Sequence, residues 1–82
     1  MNIKTDTKNN KYIELDNLRI TYVKRENRHS KKDWPEADVL RFQAYRDMES
    51  KQLHQGAEYP VHDEESAFKL LEGISKILSN RK

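Results

Sequence analysis

Eighty-two residues make at most one domain, and a chain this short buries only about 60% of the surface it exposes unfolded, so a thin core is expected. Sixteen basic against fourteen acidic residues leave a net charge of +2, which excludes a strong whole-molecule pull on nucleic acid and makes local arrangement decide. The absence of cysteine excludes disulfides, thiolate metal sites and cysteine nucleophiles and points to a reducing compartment.

No apolar run approaches the roughly 18 residues of a membrane span, and MNIKTDTKNNK lacks the apolar centre of a signal peptide. A cytoplasmic protein without membrane contact is therefore expected. Only 34% of residues are hydrophobic and 37% are charged, a balance that leans toward disorder, but the periodicity favours folding.

Residues 1–10 are polar and read as a disordered lead to a single domain over 11–82. In KYIELD, Ile13 and Leu15 alternate with Tyr12 and Glu14, and after the turn-forming pair Asp16-Asn17 the run LRITYVKR alternates again, which predicts a hairpin. The stretch KRENRHSKK follows, then DWPE with Pro35, and ADVLRFQAYR gives the clearest strand, with Leu40, Phe42 and Ala44 on one face and Val39, Arg41, Gln43 and Tyr45 on the other. After the polar DMESK, the segment QLHQGAEYPV alternates at Leu53, Ala57, Tyr59 and Val61. Gly56 weakens it and Pro60 ends it, so an edge or bulged strand is expected.

The period then changes. Ala67, Leu70, Leu71, Ile74, Ile77 and Leu78 form one helical stripe, widened by Phe68, and predict a helix from about Asp63 to Ser79. Asp63 suits the N-cap, Glu64 and Glu65 the first turn, and Lys76, Arg81 and Lys82 the basic end. The fold expected is α+β: a small antiparallel sheet of three to four strands with one C-terminal helix packed on one face.

If Leu18, Ile20 and Tyr22 meet that helix, then Arg19, Thr21, Val23 and Arg25 point to water together with Arg41, Gln43 and Tyr45. Arginines interleaved with aromatics suit a single-stranded nucleic acid, since guanidinium groups hold phosphates while rings stack on bases. The candidate binding residues are Arg19, Lys24, Arg25, Arg28, Lys31, Lys32, Trp34, Arg41 and Tyr45. The plain alternative is a solvated sheet face. KRENRHSKK likewise reads as a solvated loop or a phosphate contact, and Trp34 as a lid on the core or an anchor for a base or a protein.

Catalysis finds no support. His29, His54 and His62 lie in different segments, and His54 and His62 with Glu58 match no usual metal-ligand spacing. There is no glycine-rich phosphate loop, no serine in a nucleophile elbow, and Glu64-Glu65 is explained by helix capping. Neither enzyme activity nor a metal or cofactor is expected.

The C-terminal half, VLRFQAYRDMESKQLHQGAEYPVHDEESAFKLLEGISKIL, resembles the positive cofactor four family of single-stranded-DNA-binding transcriptional coactivators. The matching positions are Val39 to Arg46, Gly56, Glu65, Phe68 and Leu71. Ala57 and Glu58 stand where that family has a basic residue and a second glycine. The resemblance implies a curved four-stranded antiparallel sheet followed by a helix, a homodimer formed through the helix region, and single-stranded DNA on the sheet at Arg19, Arg41 and Tyr45. Two other readings stay open. One is a protein-interaction or inhibitory accessory protein, for example phage or mobile-element encoded, contacting a partner through Trp34 or an exposed strand edge. The other is duplex DNA binding by a three-stranded sheet, as in integrase arm-binding domains, if YIEL is not a full strand.

Overall fold

The computed structural model describes residues 1–28, 33–47, 49, 52–54 and 56–81. Among these, six strands form one curled antiparallel sheet and one helix closes the chain: β1 Lys4–Thr5, β2 Lys11–Leu15, β3 Leu18–Val23, β4 Asp38–Asp47, β5 Gln52–Leu53, β6 Glu58–Val61 and α1 Glu64–Ser79. This is the α+β class expected, with more strands than the three to four read from the pattern.

The hairpin turns where the sequence placed it. Asp16 takes a positive φ of 53°, which aspartate tolerates, and Leu15 pairs with Leu18 across the two-residue turn. YIEL lies wholly within β2, so the three-stranded arrangement of the duplex-binding alternative is not the one observed. The first ten residues, expected as a disordered lead, instead carry β1. The Asp6 carboxylate accepts from the Lys8 and Asn10 amides at 2.9 and 2.8 Å, and Asn9 at φ 67° completes a turn that lays β1 along β2.

β4 is the spine, pairing with β3 along one edge and with β6 and β5 along the other. Between Arg41 opposite Glu58 and Tyr45 opposite Leu53, the returning chain has one residue more than β4, so it bulges around Gly56. A Cβ there would lie 1.4 Å from the Phe42 carbonyl oxygen, and only glycine permits that approach.

Asp63 caps α1 as expected, its carboxylate accepting from the Ser66 amide at 2.9 Å. The helix meets the sheet at β6, where the Tyr59 hydroxyl donates to the Ser66 carbonyl at 2.7 Å. Beyond Leu70 the helix leaves the sheet. Phe68, Leu71, Ile74, Ile77 and Leu78 are all exposed, Ile77 by 71%. Among the described residues no helix is long and apolar enough to cross a membrane.

The register sorts the sheet into two faces. Ile13, Leu18, Ile20, Leu40, Phe42, Ala44 and Tyr59 share the apolar one and are half-buried. Tyr12, Glu14, Arg19, Thr21, Arg41, Gln43 and Glu58 share the other. The second face is not the open one expected: Thr21, Val23, Val39 and Tyr45 are buried on it. Its long side chains fold over the sheet onto one another, and residues 33–37 are drawn against it by Arg28.

Candidate nucleic-acid interface

Two charged clusters build the polar face. In the first, Glu14 of β2 stands opposite Arg19 of β3 and takes Lys4 of β1 at 3.0 Å and Arg19 at 3.7 Å. The Arg19 guanidinium lies over the Tyr12 ring, 4.2 Å from its centroid, and donates to the Tyr45 hydroxyl at 2.8 Å. Tyr45 in turn donates to Glu14. That hydrogen bond, with the Lys4 ammonium second, holds the Glu14 carboxyl down to about 2 from an ordinary 4.5. Burial raises the pKa of the Tyr45 hydroxyl, and its bond to Glu14 adds to the rise.

In the second cluster Glu58 of β6 accepts from Arg41 Nε at 2.8 Å and from Arg28 Nη2 at 3.3 Å. Arg28, expected in a solvated loop, is only 5% exposed. Its Nη1 donates to the carbonyls of Trp34 at 2.6 Å and Ala37 at 3.2 Å, and its Nη2 to that of Asp33 at 2.7 Å. One guanidinium thus ties three carbonyls of a tight loop, which its planar fork of donors allows. The Nε atoms of Arg19 and Arg28 are buried without a hydrogen bond to the described residues.

Pairing in β3 and β4 brings Arg19, Arg41 and Tyr45 to one face, as the alternation predicted. Their state differs from expectation. Tyr45, expected to face water, is 6% exposed because Glu14 and Arg19 enclose its hydroxyl, so a truncation there tests folding as well as binding. Lys24 and Arg25 are exposed at the margin, beside a short 3₁₀ turn over Arg25–Asn27 that the Asp38 carboxylate fixes through the Arg25 amide at 2.8 Å. Neither makes an ion pair among the described residues. Trp34 is 40% exposed. Lys31 and Lys32 lie outside the described residues.

The sequence reading missed Tyr12, Glu14, Lys4 and Glu58. Tyr12 and Glu14 were within reach, because a two-residue turn at Asp16-Asn17 fixes Glu14 opposite Arg19 and Tyr12 opposite Thr21. Lys4 depends on β1, whose two-residue ladder has no period to read. No protein-family profile, no curated protein and no solved structure matches the chain.

Proposed function

We propose that the polar face of the sheet binds single-stranded nucleic acid, with Arg19, Arg41 and the marginal Lys24 and Arg25 facing phosphates and aromatic rings facing bases. The observation that carries this reading is the charge of the two clusters. Each has two cations to one carboxylate: Lys4 and Arg19 share Glu14, and Arg28 and Arg41 share Glu58. By its ion pairs each is left with one cation in excess, the first against the Tyr12 and Tyr45 rings, and phosphate is an anion that offsets it without disturbing those pairs. The carboxylates also hold the arginines in place, so little side-chain freedom is lost on binding.

A double variant tests this. Lys24→Ala with Arg25→Ala removes two exposed cations away from the core and should weaken binding to a labelled single strand. The slope of log K against log salt should flatten by about 0.7 for each phosphate that the variant no longer neutralises. An unchanged slope would remove the margin from the site.

A second reading rests on α1. Its uncovered apolar stripe favours a protein-binding role, with a second copy of this chain as the partner that needs no further component. The two readings are compatible, since the helix joins the sheet at β6 through Tyr59 on the apolar face.

A further inference from the structure

We propose that Trp34 is the base-stacking anchor of the polar face and that Arg28 and Glu58 are the positioning residues that hold it. The proposal rests on the reading of that face as a single-strand site. Trp34 has a φ of 51°, in the left-handed region that a bulky side chain rarely adopts and that persists only where the surroundings enforce it. Here the enforcing group is Arg28, which donates to the carbonyls of Asp33, Trp34 and Ala37, while the Ala37 amide closes the turn onto the Trp34 carbonyl at 3.1 Å.

A guanidinium buried to hold one surface loop is costly unless compensated, and Glu58 supplies the countercharge. The same carboxylate binds Arg41, so the backbone of Trp34 stands one guanidinium and one carboxylate away from a cation of the polar face. Strain and buried charge thus both serve to fix a residue that remains 40% exposed. An exposed tryptophan on a backbone tied through Arg28 and Glu58 to Arg41 matches an unpaired nucleobase and a nearby phosphate, and it accepts any base because every base has a π-face.

Trp34 is the only tryptophan in the chain, so its emission reports on this residue alone. The probe is a dye-labelled oligothymidylate of about 12 nucleotides, followed by polarisation, with an unlabelled copy titrated against tryptophan emission. The expected result is quenching of Trp34 in step with the polarisation rise. Trp34→Ala should weaken binding about tenfold, and Trp34→Phe should retain most of it. Arg28→Lys keeps the charge but cannot span three carbonyls, so it should weaken binding and make Trp34 in the free protein more accessible to acrylamide.

A polarisation rise with unchanged Trp34 emission, or wild-type affinity in Trp34→Ala, would overturn the anchor and leave the binding face standing. No polarisation rise at all would overturn both. Arg28→Lys with unchanged acrylamide quenching would overturn the positioning role. Should that variant fail to fold, Trp34→Ala, altering an exposed side chain, still decides the anchor.

Discussion

Glu14 ties β1, β2, β3 and the end of β4 together, because Lys4, Arg19 and Tyr45 all converge on its carboxylate. Its pKa is depressed from 4.5 to about 2, so the ionised form favours the folded chain. That contribution is fully present above pH 4.5 and is lost as pH falls toward 2. Glu14→Gln should accordingly lower stability at neutral pH, and the gap to the wild-type protein should close over that interval. Urea midpoints measured at several pH values check this, and a constant gap would mean that the carboxylate's charge contributes nothing. Arg28 and Tyr45 show why burial was not legible at this scale. Their decisive partners, Glu58 and Glu14, lie 30 and 31 residues away in sequence, and no local pattern links such pairs. The same holds for Trp34, whose left-handed backbone depends on a side chain six residues earlier folding back beneath it.

Among the elements, α1 was the most legible, since the period changes at Asp63 and a capping residue, acidic first turn and basic end all agree with it. The hairpin was legible from Asp16-Asn17, and so was the grouping of Arg19 with Arg41 on one face, because strand parity alone decides it. The return strand was legible only as irregular. Gly56 divides it into β5 and β6, and the need for glycine comes from the Phe42 carbonyl on the neighbouring strand. The two glycines should therefore respond with opposite sign. Gly56→Ala forces β4 and the returning chain apart and should cost about 1–3 kcal/mol or more. Gly73→Ala meets nothing within 4 Å and should stabilise the helix by about 0.8–1.0 kcal/mol. Thermal or urea unfolding of the two variants reads both effects, and equal signs would contradict the bulge.

As a whole molecule the chain exposes 6610 Å², against about 5,200 Å² for a folded monomer of this size. Its radius of gyration is 13.8 Å, where about 11.7 Å is typical for the length. The excess area, roughly 1,400 Å², exceeds the ~800 Å² that one partner gives to a standard interface. The end of α1 contributes to this excess, since its last turns carry Leu71, Ile74, Ile77 and Leu78 into solvent. Self-association through this stripe is the expected outcome, read as a concentration-dependent sedimentation coefficient, and Ile77→Glu should abolish it. A strict monomer at high micromolar concentration would assign the stripe to a different partner. The polar face carries the central claim, and one titration tests it most directly: polarisation of labelled single-stranded and duplex oligonucleotides with the wild-type protein at two salt concentrations. The expected result is binding to the single strand, weaker binding to the duplex, and an affinity that falls steeply with salt. Equal affinity for both forms, or no salt-sensitive binding to the single strand at low ionic strength, would contradict it.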